Sequence, residues 1–285
     1  MSEYLTTKEV AALMRVKQRK IYDLVARSDI PFSKTTGKLL FPKDAVLAWI
    51  NKDTSPATTG QLTLSGSHDP LLEAVLRSSG VEIAAIWNGS SSGLDLVASG
   101  RASAAVLHIF CPDDHSWNID AVKTACADKD VVLLHWARRT RGLVMNSISA
   151  DKVAGLSDIR PFRLSRRQHG AGAQILFDCL LDEAGIAHSD LHQTEACHTE
   201  LDSVLALLEG QADIAFGLQH LASRYKLAFL PLITESVDIL VDRKRAFEPA
   251  FQSLLAFCRT PAFTALSHSF EGYDIAELGA VRFNA

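Results

Sequence analysis

Three polar, glycine-rich loops in this 285-residue chain have the composition of an anion-binding site. They are Ser65-Gly66-Ser67-His68, the segment NGSSSG at residues 88–93, and the segment RRQHGAGAQ at residues 166–174. Each loop follows a strand-like segment and precedes a helix-like one, so it is predicted to lie at a helix N-terminus. Backbone N–H groups are free there and carry partial positive charge, and serine hydroxyls add donors. The loops therefore predict contacts with a small anion.

Ligands of open α/β sheets collect at the carboxyl ends of the strands, so the three loops are expected to meet in one cleft. His198 is expected to face this cleft, and His108 and His220, which end two strand-like runs, to approach it. Asp69 is predicted to cap the helix after the first loop. The predicted ligand-contact residues are Ser65, Gly66, Ser67, His68, Ser90, Ser91, Ser92, Gln168, Gly170, Ala171, Gly172, Ala173 and His198.

The chain lacks the residue patterns of several other kinds of chemistry. It has no Walker A loop and no nucleophile–base constellation, so neither an enzymatic activity nor a cofactor is predicted. The five cysteines are scattered and show no CxxC spacing, which indicates a reduced, cytosolic compartment. The three histidines near the predicted cleft lack the close spacing of a metal site, so no metal is predicted.

Basic residues are concentrated at the N-terminus. Residues 1–52 hold ten Lys and Arg against five Asp and Glu, a net charge of +5, whereas the whole chain carries −4. The rest of the chain therefore carries −9. Such asymmetry indicates a nucleic-acid-binding module joined to a different kind of domain.

Residues 1–52 have the pattern of a winged helix-turn-helix domain. Thr6 and Glu9 form a predicted capping box for a first helix, a basic second helix follows a short turn, and IPFSKTTGKLLFP predicts a hairpin with Gly37 at its tip. The second helix is expected to enter the major groove and the hairpin to reach phosphates. The predicted DNA-contact residues are Lys17, Gln18, Arg19, Lys20, Tyr22, Lys34 and Lys38.

This N-terminal segment resembles the excisionase-like helix-turn-helix family, a relative of the MerR-type DNA-binding domain. The resemblance rests on LTTKEVAALMRV, the Ile21-Tyr22 pair, IPFSK and FPKDAVLAWI. Arg15 stands where the family usually has a glycine in the turn, and Lys17 stands where it usually has a Ser or Thr cap. A residue other than glycine costs roughly 1 kcal/mol in a left-handed turn, so the turn is expected to be altered.

A polar linker is predicted at residues 53–61, followed by an α/β domain. The linker segment contains Pro and Gly and has no hydrophobic periodicity. Residues 62–285 then alternate strand-like and helix-like segments, which predicts largely parallel sheets. Within them, GLDLVASGRASAAVLH at 93–108 and LALLEGQADIAFGLQH at 205–220 form a weak internal repeat, which predicts two similar lobes.

Residues 62–285 resemble a type II periplasmic-binding-protein fold, in the subgroup that is fused to a helix-turn-helix and related to molybdate-binding proteins. The motifs are SGSHDPLLEAVL, GSSSGLDLVASGRASAAVLH, RRTRGLVMN, LSRRQHGAGAQILFDCLLDEAGI and EGQADIAFGLQHLASRYKLAFLPLITESVDILVDR. The resemblance implies lobe I at about 62–138 and 234–285, and lobe II at about 139–233. It also implies crossovers near 136–142 and 230–236 and closure of the lobes around a ligand.

The third loop departs from this family. Where the family usually shows Gly-Ser-Gly-Thr-Arg, the chain has Gly170-Ala171-Gly172-Ala173-Gln174, so two hydroxyls and a guanidinium are missing. Backbone N–H groups remain as donors, but the loss of these side chains weakens the expectation of a molybdate-like ligand. Arg141, near the first implied crossover, is either a ligand anchor or part of a hinge salt bridge.

The leading hypothesis is a transcription regulator that binds operator DNA and senses a small anion, either a molybdate- or tungstate-like oxyanion or a small organic or sulfur-containing anion. A homodimer or homotetramer is expected because palindromic operators mirror two-fold protein symmetry. Two alternatives are an enzyme or carrier of molybdenum-cofactor metabolism, and an architectural DNA-binding protein whose second domain only oligomerises. The N-terminus lacks a secretory signal and no apolar run is long enough for a membrane span, so a cytoplasmic protein with no membrane contact is predicted.

Overall fold

The computed structural model describes residues 4–14, 16–27, 30–34, 37–51, 61–168 and 170–285. The chain divides into two compact units, Met1–Thr59 and Gly60–Ala285. Arg15 in the predicted turn and residues 53–60 of the predicted linker lie outside the described residues. Among the residues that are described, no helix is long and apolar enough to cross a membrane.

The N-terminal unit has the element order expected of a helix-turn-helix domain. The predicted capping box is confirmed: the Glu9 carboxylate accepts the Thr6 N–H at 2.7 Å, and the Thr6 hydroxyl accepts the Glu9 N–H. A small core buries Val10, Ile21 and Phe41 between the helices and the strands. The elements are β1 (Tyr4–Thr6), α1 (Thr7–Leu13), α2 (Gln18–Ala26), β2 (Leu40–Pro42) and α3 (Lys43–Asn51).

The predicted hairpin follows α2. Ser33 and Leu40 exchange backbone hydrogen bonds of 2.7 and 3.0 Å, and Gly37 at the tip has a φ of +77°. Glycine adopts this left-handed conformation without the steric cost of a Cβ. The returning strand β2 also pairs antiparallel with β1, so the hairpin is anchored to the start of the unit.

The C-terminal unit alternates strands and helices, which confirms the predicted α/β class. Its strands are β3 (Leu62–Gly66), β4 (Ile83–Trp87), β5 (Ala104–Leu107), β6 (Phe110–Cys111), β7 (Ser116–Trp117), β8 (Val131–Met145), β9 (Arg163–Arg167), β10 (His192–Cys197), β11 (Ile214–Leu218), β12 (Ala228–Asp242), β13 (Tyr273–Asp274) and β14 (Val281–Asn284). Its helices are α4 (Pro70–Ser79), α5 (Ser90–Ala98), α6 (Ile119–Ala125), α7 (Gly172–Glu183), α8 (Glu200–Leu208), α9 (Gln219–Arg224), α10 (Arg243–Ala246), α11 (Pro249–Phe257) and α12 (Pro261–Ser267).

The main sheet is mixed rather than largely parallel, so that prediction is wrong: antiparallel pairs join two groups of parallel strands. Its order is β10-β9-β11-β8-β12-β5-β3-β4, and β13 and β14 also pair with β8. The parallel groups are β3 with β4 and β5, and β9 with β10 and β11. The two 15-residue strands β8 and β12 run antiparallel to each other and pass from one group to the other. We call the half with β3–β5 lobe I and the half with β9–β11 lobe II.

Each lobe has its own apolar core. Lobe I buries Leu64, Leu71 and Phe251, whereas lobe II buries Leu176 and Phe216. The lobe boundaries that the resemblance implied, 138/139 and 233/234, fall inside β8 and β12. The pairing of these strands is irregular at 231–233 and at 237–238. Two cores joined by two long strands are compatible with the lobe closure that the resemblance implies.

Candidate functional site

The first predicted loop connects β3 to α4 and is held by its own polar groups. The Asp69 carboxylate caps α4 by accepting the N–H of Leu72 at 2.8 Å, as predicted. The Nε2 atom of His68 lies 3.1 Å from the carboxylate of Glu73. The other ring nitrogen of His68, Nδ1, is buried and has no hydrogen-bond partner among the described residues. The loop therefore presents a polar atom that no other described residue engages in a hydrogen bond.

The second loop begins at Asn88, whose side chain ties it to the first loop. Its Oδ1 atom accepts hydrogen bonds from Ser65 Oγ at 2.8 Å and from the Gly66 N–H at 2.9 Å. Its amide nitrogen donates to Ser92 Oγ at 2.9 Å. The hydroxyls of Ser65 and Ser92 are therefore engaged within the protein, whereas Ser91 is exposed.

A pair of serines links the two loops more deeply. Ser67 Oγ lies 2.8 Å from Ser90 Oγ, and Ser90 Oγ also accepts the backbone N–H of His108 at 3.1 Å. Helix α5 begins at Ser90. The preceding residue, Gly89, has a φ of +90° and no side chain with which to cap the helix. The first-turn N–H groups of α5 are therefore available to another acceptor.

The third loop joins β9 to α7. Gly170 has a φ of +78°, and Ala171 precedes the helix without a side-chain cap. The Oε1 atom of Gln174 accepts the N–H of Arg167 at 2.8 Å. Gln174, where the resembled family has an arginine, therefore supports the loop from inside the lobe. His169 of this loop lies outside the described residues.

The second and third loops meet in the cleft between the lobes. A Cβ on Gly89 would lie 3.1 Å from the carbonyl oxygen of Gly170, and a Cβ on Gly172 would lie 2.9 Å from Nε2 of His108. These approaches leave a pocket of about 10 Å³, space for roughly one water-sized group. Two uncapped helix N-termini, those of α5 and α7, thus border one small pocket.

The structure brings about half of the predicted ligand-contact residues to this pocket. An adjoining groove is lined by Ser91, Ser92 and Gly170. Ser65, Gly66 and Ser90 hold the loops together and line neither space. The predicted residues that line the pocket are Ser67, His68, Gln168, Ala171, Gly172, Ala173 and His198. Their contact with a ligand stays a prediction.

Other residues of the pocket wall were not predicted from the sequence. Trp87, Arg167 and Glu200 line it together with Gly89, and so does His108, whose approach was expected. Arg167 lies in the third loop, and its positive charge there is a local signal that could have identified it as a pocket residue. Glu200 looks like an ordinary residue of a helix first turn, and nothing local indicates that it is buried. His220 does not line the pocket and stacks on Phe270 instead, with ring centroids 4.1 Å apart.

The Glu200 carboxylate at the start of α8 binds two arginines. Its oxygens accept hydrogen bonds of 2.9 and 3.1 Å from the guanidinium of Arg141. Arg167 Nη1 lies 2.9 Å from Glu200 Oε1 as an ion pair, but that contact lacks hydrogen-bond geometry and Nη1 has no hydrogen-bond partner among the described residues. The backbone carbonyl of His198 accepts a hydrogen bond from Arg167 Nη2 at 3.0 Å. Arg141 is therefore part of a buried salt bridge rather than a free ligand anchor.

A second carboxylate, Glu235, joins these arginines to lobe I. It accepts hydrogen bonds from Arg139 and from Arg141, the latter at 2.9 Å, and its other oxygen lies 3.0 Å from His108 Nδ1. Arg139 also donates a hydrogen bond of 2.8 Å to the carboxylate of Asp69. We call the chain of charges from Asp69 through Arg139, Glu235, Arg141 and Glu200 to Arg167 the ionic cluster. It runs from the first loop across both long strands to the pocket.

Burial and the neighbouring charges set the protonation of these groups. Burial alone would raise the pKa of Glu200, but Arg141 and Arg167 outweigh it and hold that pKa at about 2. The pKa of Glu235 is likewise well below its usual range because Arg139 and Arg141 outweigh burial. The pKa of His108 is lowered because burial, together with the charges of Arg139 and Arg141, outweighs the opposing effect of the Glu235 carboxylate. The pocket wall therefore contains an ionised carboxylate and a neutral imidazole near pH 7.

The acid stability of the protein is expected to depend on Glu200. Its folded-state pKa lies below the ordinary value of 4.5, so its stabilising contribution is complete above that pH and is lost as the pH falls toward 2. We expect the free energy of unfolding in urea to fall over this range by a few kcal/mol, and less steeply in Glu200→Gln than in the wild type. The exposed control Glu195→Gln should keep the wild-type slope. Equal slopes in all three proteins would contradict the assignment.

The N-terminal unit presents its basic residues to solvent. Lys17 precedes α2 without making a side-chain cap, and Ile21 is buried one helical turn beyond it. The buried face of α2 leaves the opposite face outward, where Tyr22 is 52% exposed. The predicted DNA-contact residues Lys17, Gln18, Arg19, Lys20, Tyr22, Lys34 and Lys38 are all exposed.

One group of possible metal ligands lies outside the pocket. Ligand atoms of Cys111, Asp114 and Asp120 lie within 4.8 Å of one another, and both aspartates are exposed. Exposed acidic groups commonly cluster without an ion. The expectation that the protein needs no metal therefore stays a prediction.

Comparison with known proteins identifies the family of the C-terminal unit. A family model described as a PBP superfamily domain matches residues 73–259, more than half of the chain, and the chain belongs to this family. A helix-turn-helix domain model matches residues 4–54. The two domains together indicate a ligand-sensing, DNA-binding regulator. Both family descriptions name a domain, and neither names a reaction.

Similar proteins agree with this fold. The uncharacterized protein YvgK of Bacillus subtilis (strain 168) is 22% identical over 302 aligned positions, which cover 97% of this chain and 96% of that protein. A Clostridium perfringens protein crystallised with bound phosphate has a TM-score of 0.53 at 12% identity, covering 74% of this chain and 98% of that one. The tungstate ABC transporter protein of Geobacter sulfurreducens has a TM-score of 0.51 at 12% identity, covering 72% and 97%. At these identities the likeness shows the fold alone.

Proposed function

We propose that this protein is a transcription regulator whose N-terminal unit binds operator DNA and whose pocket senses a small anion. The helix-turn-helix and PBP superfamily matches support the two activities. The cofactor-binding domain of the Cbl transcriptional regulator, with a TM-score of 0.50 at 13% identity over 76% of this chain and 96% of that one, has the same fold. As a DNA-binding regulator, the protein would act in the cytoplasm as a homodimer or homotetramer, without an enzymatic step.

The observation that carries the ligand assignment is the meeting of two uncapped helix N-termini at the pocket. Helices α5 and α7 are nine and twelve residues long, and the residues preceding them make no side-chain cap. Their first-turn N–H groups and the helix dipoles favour an anion between them. Buried polar atoms of His68, Arg167 and Gln168 around the same pocket lack hydrogen-bond partners among the described residues, although Arg167 forms an ion pair with Glu200. An anionic ligand could accept a hydrogen bond from Arg167, whereas Gln168 Oε1 would need a donor on the ligand.

The ligand class is a molybdate- or tungstate-like oxyanion, or a small organic or sulfur-containing anion. The sequence motifs of the molybdate-related subgroup support the first, and the loss of hydroxyls from residues 170–174 favours the second. The pocket of about 10 Å³ is too small for either. Binding therefore requires the lobes to move apart and close again, and this motion is what would alter DNA binding.

The ligand assignment is tested by thermal unfolding of the full chain in a panel of oxyanions, carboxylates and sulfonates. We expect at least one compound to raise Tm in a concentration-dependent way, since a ligand at 100 times its Kd stabilises by about 2.7 kcal/mol. Gly172→Ala, which puts a Cβ 2.9 Å from His108 Nε2, should lose this response. The control Gly155→Ala places its Cβ in open space and should keep it. No stabilisation by any compound would contradict the sensor function.

DNA binding is expected to depend on the exposed basic residues of α2. Each phosphate contact adds about 0.9 to the slope of log K against log salt concentration. Arg19→Ala should weaken binding to a DNA fragment and reduce this slope by about 1, measured by fluorescence anisotropy between low and physiological salt. Lys129→Ala, at an exposed position of the C-terminal unit, serves as the control and should leave the slope unchanged. An unaltered slope in the Arg19 variant would contradict phosphate contact there.

A further inference from the structure

The wall of the pocket is divided into hydrogen-bond donors and acceptors. The donors are the N–H groups of Gly172 and Ala173 in the first turn of α7, the hydroxyl of Ser67, and Nη1 of Arg167. The N-terminus of α5 borders the pocket at Gly89. These groups suit the negatively charged oxygens of a ligand. Other groups of the same wall are acceptors, which restricts what the rest of the ligand can be.

Three groups of the wall present accepting atoms that carry no hydrogen: Glu200, His108 and Gln168. Glu200 is a carboxylate with 2% exposure that lines the pocket. His108 donates from Nδ1 to Glu235, so the Nε2 atom of its neutral ring carries a lone pair. The Oε1 atom of Gln168 is buried and unpartnered among the described residues. A ligand that presents only oxygen lone pairs would offer no donor to Gln168 or His108 and would place its negative charge beside the Glu200 carboxylate.

The charges around the pocket are also balanced before any ligand binds. In the ionic cluster, Arg139, Arg141 and Arg167 are matched by Asp69, Glu200 and Glu235. Both oxygens of Glu200 already contact the guanidinium groups that would otherwise bind an anion. A doubly charged oxyanion would therefore lie beside a buried carboxylate without a surplus of positive charge to offset it.

We propose that the ligand carries an O–H or N–H donor beside its anionic oxygens, and that Glu200 is the residue that selects for this donor. The inference rests on the proposed sensing function and narrows its ligand class. Sulfate, molybdate and tungstate are fully deprotonated near neutral pH and offer acceptors only. Inorganic phosphate keeps a proton there, and hydroxy acids and amino acids carry donors of their own. A donor on the ligand would add a hydrogen bond to the Glu200 carboxylate, whereas an oxygen without a proton would be repelled by its negative charge.

The test is titration calorimetry of the full chain with matched pairs that differ in the donor. The pairs, with the donor-bearing member first, are phosphate with sulfate, lactate with propionate, and alanine with propionate. Molybdate and tungstate are titrated in addition. We expect the donor-bearing member of at least one pair to bind on the order of 10- to 100-fold more tightly. Which pair responds distinguishes an inorganic oxyanion from an organic acid.

Two outcomes would overturn the inference in different ways. Binding of sulfate, molybdate or tungstate as tightly as any donor-bearing compound would refute the selection by Glu200 and leave the sensor function standing. Binding by no member of the panel would refute the sensor function and this inference with it.

Variants then test the residue itself. Glu200→Gln replaces the carboxylate by a group that can also donate, so the phosphate-to-sulfate preference, or that of the responding pair, should fall by on the order of tenfold. Glu195→Gln, exposed on β10, is the matched control and should keep the preference. If Glu200→Gln does not fold, Gln168→Met removes an unpartnered acceptor while leaving the ionic cluster intact, and should narrow the same preference. An unchanged preference in a folded variant would contradict the assignment.

Discussion

Substitution Glu235→Ala is expected to lower the free energy of unfolding by on the order of 3–5 kcal/mol. The side chain is fully buried and contacts the guanidinium groups of Arg139 and Arg141 and the ring of His108. Removing it leaves two buried arginines short of one carboxylate, and neither can lose its proton in compensation. The cost of uncompensated buried charge exceeds what the lost contacts alone would give.

The effect is measured by urea unfolding followed through tryptophan fluorescence, since Trp136 lies in the lobe I core and donates to Asp69 at 3.0 Å. Asp120→Ala is the control, because it breaks an ion pair with Lys123 in which both side chains are more than half exposed. Such pairs contribute about 0–1 kcal/mol. Comparable losses in the two variants would show that burial of the ionic cluster does not determine stability.

Substitution Gly66→Ala adds one methyl group to the first loop and is expected to lower the free energy of unfolding strongly. Gly66 has a φ of +104°, and a Cβ there would lie 2.3 Å from the carbonyl oxygen and 2.8 Å from the nitrogen of Val106. Both obstacles are backbone atoms of the neighbouring strand β5, so they cannot rotate away. Strain at the left-handed φ and the clash together should cost on the order of 3 kcal/mol or more.

The second consequence of Gly66→Ala is loss of the ligand response. The N–H and carbonyl groups of Gly66 bind Asn88 and the N–H of Gly89, so displacing Gly66 disturbs the second loop as well. Thermal unfolding with and without a stabilising compound measures both effects. Gly155→Ala, at an extended backbone position with open space around its Cβ, should change Tm by less than about 2 °C. A Gly66 variant that matched this control would refute the close packing of β3 against β5.

Local patterns were sufficient to predict several elements. The Thr6–Glu9 capping box, the Asp69 cap and the hairpin with Gly37 all form between residues at most seven positions apart. Their hydrogen bonds depend on backbone geometry that a short segment adopts by itself. The alternation of strand-like and helix-like segments likewise predicted the α/β class, because each element must bury one face against its neighbours.

The use of the serines could not be predicted in the same way. Ser65 and Ser92 each have a hydroxyl that could donate to a ligand, but Asn88 engages both hydroxyls. Any of the three serines of the second loop could have faced the pocket. The direction in which each serine points depends on how β3 and β4 pair and on which side of α5 packs against them. The loop sequence alone determines neither.

The sequence by itself determined the helix-turn-helix pattern, the order of the strands and helices, and the three loops that precede helices α4, α5 and α7. Only the tertiary structure decided which charges lie in the pocket wall. Glu235 pairs with Arg139 and Arg141 over separations of 96 and 94 residues, and Glu200 pairs with Arg141 over 59. A charged side chain is expected at the surface unless a distant partner is brought to it. The long antiparallel strands β8 and β12 bring these partners together, and so they place an ionised carboxylate in a pocket that the loops alone predicted to be purely anion-binding.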